Sequence, residues 1–176
     1  VARLDLTKDT MTLARAFAAI ALPRRNPKIK LLIVGDGEQR SRLEEFVGML
    51  GLNRVVIFTG RRRDVPRLLR AMDVFALSSV SEGMPLTVLE AMAARLPVVA
   101  TEVGALPELV EEAKTGFLIP VRHAVAMADK LEKFIANPQL AKTFGEEARR
   151  KVEREFTLEQ MLRSYAELYE SVLERR

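Results

Sequence analysis

The sequence predicts an α/β fold: a doubly wound parallel sheet with helices on both faces, followed by extra helices at the carboxyl end. Three observations support this prediction. Short apolar runs alternate with stretches of helical periodicity, an order typical of parallel α/β sheets. The runs are continuously apolar, as expected of strands buried on both faces. After Pro120 only helical patterns remain, and the length of 176 residues is most simply one domain, 1–176.

Five apolar runs have the length and composition of strands. All are rich in Val, Ile, Leu or Phe, and most are bounded by glycine, proline or a charged residue. They are residues 30–35, 54–60, 73–79, 97–101 and 116–120. The opening residues, VARLDLTKD, read as the end of a further buried strand whose beginning lies outside the sequence. We therefore expect the chain to be part of a longer protein.

Helical periodicity fills the intervals between the runs. Leu43, Phe46, Val47 and Leu50 recur at the spacing of one helix face. A second helix is predicted after Pro85, because proline suits the first helical position.

The last predicted helix begins at Thr157, which forms a capping box with Gln160. One apolar stripe follows the cap and consists of Leu158, Met161, Leu162, Tyr165, Leu168, Tyr169 and Val172. Such a stripe has to be covered, either by this domain or by another part of a longer protein.

Composition excludes several classes of protein. The sequence contains no cysteine and one histidine, His123, which argues against a disulfide framework and a histidine-based metal site. No apolar run approaches the roughly 20 residues that cross a bilayer, and we expect a cytoplasmic location. The net charge is +4, and the segment 61–70 holds five arginines against one aspartate. That segment either meets a polyanion or phosphate, or is a solvated face.

Candidate ligand-binding residues follow the predicted strands, because open parallel sheets bind ligands at the carboxyl ends of their strands. Arg3 and Lys8 follow the opening segment and could grip a diphosphate, although surface cations are common. The segment IVGDGEQR begins like a dinucleotide-binding loop, but Arg40 stands where the third glycine belongs. Gly35 is interpreted as a tight turn that still allows a ligand to approach the backbone.

The segment SEGMPLTVLE, residues 81–90, carries the strongest signal. If the helix starts at Pro85, the amides of residues 86–88 are free to bind an anion at the positive helix end. Glu90 lies five residues beyond Pro85, about 7.5 Å along the axis at about 1.5 Å per residue. We interpret the helix end as a phosphate site, with Glu90 for a ribose diol and Glu82 for the sugar beyond the phosphates. The alternative is two acids that serve only the helix.

In this order, several motifs together resemble the carboxyl-terminal domain of retaining glycosyltransferases of family 4, which have the GT-B fold. The motifs are VARLDLTKD, LLIVGDGEQRSRLE, RDVPRLLRAMDVFALSS, SEGMPLTVLEAMAARLPVVATEVGALPELVE, KTGFLIP and FTLEQM. The resemblance implies two Rossmann-like domains that face a cleft. This chain would be the half that binds a nucleoside-diphosphate sugar, and the amino-terminal acceptor domain would be missing from it.

The resemblance also implies residue roles. Arg3 and Lys8 match the pair that grips the diphosphate, Glu90 the ribose-binding glutamate, and Glu82 the glutamate that faces the donor sugar. Glu82, Arg3 and Lys8 are thus the expected catalytic residues. The positions implied at the phosphates are Gly83, Met84, Pro85, Leu86 and Thr87, and those near the base are Gly60 and Arg61. Neither a metal nor a cofactor is expected.

The sequence departs from the family pattern at three places. Arg95 and Ala105 replace usual glycines, and the segment after Pro120 lacks the usual Gly-Asp-Pro. These departures concern the shape of the sugar pocket rather than the class of protein.

The sequence thus predicts the donor-binding half of a retaining glycosyltransferase, specific for a UDP- or GDP-linked sugar and inactive alone. The whole enzyme is expected to use a glycan or lipid-linked acceptor, with possible peripheral membrane contact and no nucleic-acid partner. Three alternatives stay open. One is a sugar-nucleotide epimerase or phosphorylase of the same fold, the second a polyanion-binding module built on segment 61–70, and the third a dinucleotide oxidoreductase.

Overall fold

A computed structural model of the chain describes residues 1–24 and 28–173. Strands and helices alternate up to Ile119, and only helices follow. The strands are β1 Leu31–Val34, β2 Val56–Gly60, β3 Phe75–Leu77, β4 Val98–Thr101 and β5 Gly116–Ile119. The helices are α1 Thr10–Arg24, α2 Arg40–Met49, α3 Val65–Leu69, α4 Leu86–Ala93, α5 Leu106–Leu109, α6 Ala124–Ala136, α7 Pro138–Glu155 and α8 Leu158–Leu173. A short 3-10 helix, Leu6–Lys8, precedes α1.

All strand pairs among these elements are parallel, as predicted. They form a two-stranded sheet, β1-β2, and a three-stranded sheet in the order β3-β4-β5. Leu31 lies opposite Val56, and Val98 lies between Phe75 and Gly116. Each strand falls within the apolar run that predicted it.

Helices cover both faces of the three-stranded sheet, which confirms the doubly wound arrangement. Val98 and Ala100 of β4 pack with Met92 of α4 on one face. Val99, which points the other way, packs with Met127 and Phe134 of α6 on the opposite face. This alternation explains why all four residues of β4 are buried.

The opening segment is not a regular strand, which corrects the prediction for VARLDLTKD. The Ala2 and Leu4 amides donate to the carbonyls of Val34 and Asp36, at 3.0 and 2.9 Å. Gly35 makes this possible, because a Cβ at that position would lie 1.8 Å from the Ala2 carbonyl oxygen. The segment therefore continues alongside β1 at its carboxyl end.

The capping box at the start of α8 is confirmed. The Gln160 amide donates to Thr157 Oγ1 at 3.2 Å, and the Thr157 amide donates to Gln160 Oε1 at 3.1 Å. Beyond the cap, no residue of α8 is buried. The predicted apolar stripe is therefore left uncovered by the described part of the chain.

Candidate nucleotide-sugar site

The loop that carries Lys8 is fixed by the carboxyl end of β3. Asp5 caps the short 3-10 helix by accepting a hydrogen bond from the Lys8 amide at 3.1 Å. Ser78 Oγ donates to the carbonyls of Lys8 and Asp9, at 3.2 and 2.9 Å. The Val80 amide donates to the Thr7 carbonyl at 2.8 Å. The predicted cation thus lies at a strand end of the three-stranded sheet.

Lys8 and Glu82, both predicted site residues, are in direct contact. Lys8 Nζ lies 2.7 Å from Glu82 Oε1, and the Glu82 side chain is only 7% exposed. Ser79 Oγ donates to the same oxygen at 2.6 Å. Glu82 is thus held by one charged and one neutral donor at the end of β3.

Ser79 is a candidate site residue that the sequence analysis missed. Its side chain is buried, and its carbonyl accepts a 2.6 Å hydrogen bond from Thr101 at the end of β4. The signal that could have identified it is the pair of serines directly after β3, at the end of the run 73–79, since polar residues at that edge of a parallel sheet face the ligand site.

Gly104 brings the Glu82 loop close to the turn after β4. It has a φ of 54°, and a Cβ there would lie 1.8 Å from the Glu82 carbonyl oxygen. The Ala105 amide donates to the Gly83 carbonyl at 3.1 Å. By contrast, a Cβ on Gly83 would meet nothing within 4 Å. The loop is therefore anchored on one side and open on the other.

Helix α4 begins one residue later than predicted, because Pro85 is its N-cap and Leu86 its first residue. As a consequence the Val88 amide donates to the Pro85 carbonyl at 2.9 Å, so the prediction of a free Val88 amide is wrong. The amides of Leu86 and Thr87 have no hydrogen-bond partner in residues 1–24 and 28–173. The side chains of Met84 and Leu86 are exposed.

A cleft of about 610 Å³ brings four more predicted residues together, Arg3, Gly35, Arg61 and Thr87. Its other walls include Arg62 and Arg63, which sequence reasoning had placed only in a general basic segment. Gly60 is adjacent, because its carbonyl accepts the Gly35 amide at 2.9 Å.

The cleft is strongly cationic. Arg62 forms an ion pair with Asp64 at 2.8 Å, whereas Arg61 and Arg63 form none with any residue that the structure describes. Arg3 Nε contacts Asp5 Oδ2 at 2.6 Å and is largely exposed. Burial opposes ionisation of Asp5, but hydrogen bonds from Arg3 and from the Lys8 amide outweigh it and hold the pKa of Asp5 below its usual value. A diphosphate bound in this cleft would lie close to the positive charges of Arg61 and Arg63, which no described acid neutralises.

Glu90 lies on the exposed side of α4, within electrostatic reach of the Val1 amino group. Burial lowers the pKa of that amino group to about 6, and the Glu90 carboxylate partly opposes the shift. Val1 itself lines the cationic cleft. Glu90 is therefore near the cleft.

Two features are absent from the described residues, a metal-binding cluster and a membrane-spanning helix. No group of three or more His, Cys, Asp or Glu side chains could hold a metal ion in residues 1–24 and 28–173. Within the same ranges, no helix has the length and apolarity needed to cross a membrane.

Comparison with known proteins points to one family. The family model described as "Glycosyl transferases group 1" matches residues 1–151. The N-acetyl-alpha-D-glucosaminyl L-malate synthase of Bacillus anthracis is 32% identical over 166 residues, which are 94% of this chain and 43% of that protein.

Solved structures agree with this similarity. The Anabaena protein HepE, in complex with UDP and glucose, superposes with a TM-score of 0.87 at 28% identity, covering 97% of this chain and 47% of that one. Sucrose-phosphate synthase from Thermosynechococcus elongatus gives a TM-score of 0.88 at 30% identity, covering 100% of this chain and 45% of that one. The chain thus spans less than half the length of these relatives.

Proposed function

Because the chain belongs to the group 1 glycosyl transferase family, we propose that it is the donor-binding domain of a retaining glycosyltransferase of family 4. Its α/β fold with parallel strands matches GT-B glycosyltransferase structures. The ligand would be a nucleoside-diphosphate sugar. The observation that carries the proposal is the Lys8–Glu82 pair beside the open start of α4.

The proposed diphosphate site combines two kinds of positive potential. The amides of Leu86 and Thr87 lie at the positive end of α4. Arg3 and Arg61 line the cleft that also contains Thr87. A helix end alone is weak support for an anion site, but arginines in the same cleft favour one with two phosphates. HepE provides an independent argument, because it binds UDP and glucose and shares the fold.

In the proposed reaction the diphosphate leaves the donor sugar on the same face of the sugar that the acceptor approaches. Arg3 and Lys8 would stabilise the negative charge of the leaving diphosphate in place of a metal ion. Glu82 would accept hydrogen bonds from the transferred sugar. Because Lys8 already contacts Glu82, it can bridge the sugar-binding carboxylate and the diphosphate without moving far.

The whole enzyme would need a second, acceptor-binding domain outside this chain. We propose that the acceptor is a glycan or a lipid-linked glycan, met at the cytoplasmic face of a membrane. The 176-residue chain would then bind donor without catalysing transfer.

Titration of the chain with UDP and with GDP, followed by amide NMR, tests the proposal. One of the two should shift the amides of residues 83–88 at millimolar concentration or below. An Arg61→Ala, Arg63→Ala double variant should weaken this binding, whereas Arg163→Ala on α8 should not. If neither nucleotide perturbs residues 83–88, the donor-site proposal is wrong.

A polyanion-binding module is the second candidate, and the absence of ion pairs at Arg61 and Arg63 in the described part of the chain favours it. It predicts binding of any polyanion with a steep dependence on salt. Heparin in the same titration separates the two functions, because a polyanion module would bind heparin with no loss in a Glu82→Gln, Glu90→Gln variant.

A further inference from the structure

Lys151 of α7 is a buried lysine to which the proposed function gives no role. Its side chain is only 8% exposed, and its Nζ donates to the Glu108 carbonyl at 2.7 Å. The same nitrogen lies 3.3 Å from Glu111 Oε1 and 3.8 Å from Glu155 Oε2. Burial of an ammonium group is unfavourable unless the group is paired and hydrogen-bonded, and both conditions are met here. Lys151 therefore attaches α7 to the carboxyl end of α5.

Helix α5 connects the Lys151 contact to the loop that carries Glu82. The helix has only four residues, and Glu108 is the third of them. Its N-cap residue, Ala105, donates at 3.1 Å to the carbonyl of Gly83, which directly follows Glu82. Both leucines of α5 are fully buried, so the short helix is packed as one rigid unit between these two contacts. A shift at the Glu108 end should therefore reach the Glu82 loop.

Helix α4, on the other side of this loop, is held by a different cation of α7. Arg149 Nη1 donates at 2.6 Å to the carbonyl of Ala93, the last residue of α4. A positive charge at the carboxyl end of a helix is favourable. Arg149 and Lys151 are two positions apart, which separates them by about 200° around the helix axis. The two cations therefore hold two different helices, and each contact can be removed alone.

We propose that Lys151 is a positioning residue for the donor sugar. Its contact with Glu108 fixes α5, and the hydrogen bond from Ala105 to Gly83 passes this constraint to Glu82. The identity of the ligand rests on the proposed function, whereas the link from Lys151 to the loop is a property of the chain without ligand. Lys151 would act on the sugar only through Glu82.

Loss of the Lys151 ammonium group should affect the two parts of the donor differently. The Glu108 carbonyl would lose its buried donor, and the end of α5 would have to move toward water to replace it. The start of α4, where the diphosphate is proposed to bind, would keep its attachment through Arg149 at the other end of that helix. We therefore expect weaker binding of a nucleotide sugar and unchanged binding of the nucleoside diphosphate.

Hydrogen exchange of the chain without ligand tests the link between Lys151 and the loop. Lys151→Met removes the charge and keeps most of the apolar stem. Arg149→Met is the matched control, because it removes a neighbouring cation whose contact with a helix carbonyl is equally short. We expect the Ala105 amide to exchange about 10-fold faster in Lys151→Met, measured relative to Val99 of β4, and to be unchanged on that scale in Arg149→Met. Equal acceleration in both variants, or none in Lys151→Met, would contradict the link.

Calorimetry with UDP and UDP-glucose, and with GDP and GDP-mannose as the alternative pair, tests the consequence for the site. Lys151→Met should weaken the nucleotide sugar about 3- to 10-fold and the free diphosphate less than about 2-fold. In a Glu82→Gln background the same substitution should have no further effect, because residues that act through one contact are not additive. Arg149→Met should leave the ratio of the two affinities unchanged.

Two outcomes of the calorimetry would overturn the proposal. One is an equal loss for the nucleotide sugar and the diphosphate in Lys151→Met, and the other is a loss that persists in the Glu82→Gln background. Either would show that Lys151 stabilises the fold without positioning Glu82. If the unsubstituted chain binds neither nucleotide pair while Lys151→Met still accelerates exchange at Ala105, the donor function is wrong and the link between Lys151 and the loop stands.

Discussion

The Glu82 carboxylate is held in place by Lys8 and Ser79 and is still able to bind a ligand. Glu82 Oε1 accepts from both Lys8 Nζ and Ser79 Oγ. Two donors on one oxygen leave the second carboxylate oxygen available for a ligand hydroxyl. The two glutamates of the site also have different surroundings, since Glu82 is nearly buried and Glu90 is exposed. Their substitution should therefore have different consequences.

Glu82→Gln should weaken a UDP-sugar about 10-fold without weakening UDP, because the proposed contact is with the sugar. Glu90→Gln should weaken both ligands about 10-fold, because both contain the ribose. A charge-assisted hydrogen bond contributes about 1.5–3 kcal/mol, and about 1.4 kcal/mol is one decade in affinity. Calorimetry with both ligands on both variants measures this. Equal losses for the two ligands in Glu82→Gln would contradict the assigned roles.

Ser79→Ala should weaken a UDP-sugar about 3- to 10-fold and leave UDP binding unchanged. The hydroxyl donates to Glu82, which is proposed to contact only the sugar, and a neutral hydrogen bond contributes about 0.5–1.5 kcal/mol. Ser78→Ala is the matched control, because Ser78 holds the backbone of Lys8 and Asp9. That variant should weaken both ligands. If the two serine variants behave alike, Ser79 does not position Glu82.

At the scale of elements, the contact between α7 and the end of α4 depends on one glycine. A Cβ on Gly145 of α7 would lie 2.1 Å from the Arg95 carbonyl oxygen, just after α4. Arg95 itself has a φ of 63°, in a region that favours the glycine usual in the family. The two segments therefore approach each other backbone to backbone, and neither has room to shift.

Gly145→Ala should lower the free energy of unfolding by about 1–3 kcal/mol, the usual cost of overpacking. Gly48→Ala in α2 is the control, since a Cβ there meets nothing closer than 4.0 Å. Because alanine is more favourable than glycine inside a helix by about 0.5–1 kcal/mol, Gly48→Ala should raise the free energy of unfolding. Urea unfolding of both variants measures whether the two changes in the free energy of unfolding have opposite signs. A neutral or stabilising Gly145→Ala would show that the contact relaxes freely.

The elements also show what sequence could and could not predict. The five strands were predictable because burial on both faces leaves continuous apolar runs, and Thr157 and Gln160 gave the start of α8 through local chemistry. The hydrogen bond from the Val88 amide to the Pro85 carbonyl was not predictable, because it depends on whether Pro85 is the first residue of the helix or its N-cap. The Lys8–Glu82 contact joins residues 74 positions apart, and Ser79 acquires its role only through that contact. Only assembly of the two sheets reveals the cavity of about 790 Å³ that residues of both β1 and β3 line.

For the 176-residue chain taken as a whole and by itself, the buried amino group of Val1 couples stability to pH. Its pKa falls from 8.0 in the unfolded chain to about 6 in the folded one. Between pH 8 and 6 the unfolded state therefore binds more protons, and stability decreases as the pH falls. Above pH 8 the amino group is neutral in both states and its burial costs no ionisation energy, whereas below pH 6 the loss of stability reaches about 2–3 kcal/mol, at about 1.4 kcal/mol per pKa unit.

Denaturant unfolding of the 176-residue chain at pH 8.5 and pH 6 measures this loss. Acetylation of the Val1 amino group removes the titrating charge and should abolish that part of the pH dependence. The difference between acetylated and free chains is the quantity of interest, because other groups titrate in both. If the two forms lose the same stability between these pH values, the amino group is not buried as described.

The arginines of the cleft and the lysine beside Glu82 differ in a way that should be visible in the kinetics of ligand capture. Arg61 and Arg63 are exposed, and no described acid neutralises them, so their field extends into solvent. Lys8 is mostly shielded and its charge is balanced by Glu82. An approaching diphosphate should therefore be steered by the arginines, and its association rate constant should decrease with ionic strength. Lys8 would act only after contact, so its loss should appear mainly as a shorter residence time of the ligand, with little change in its rate of arrival.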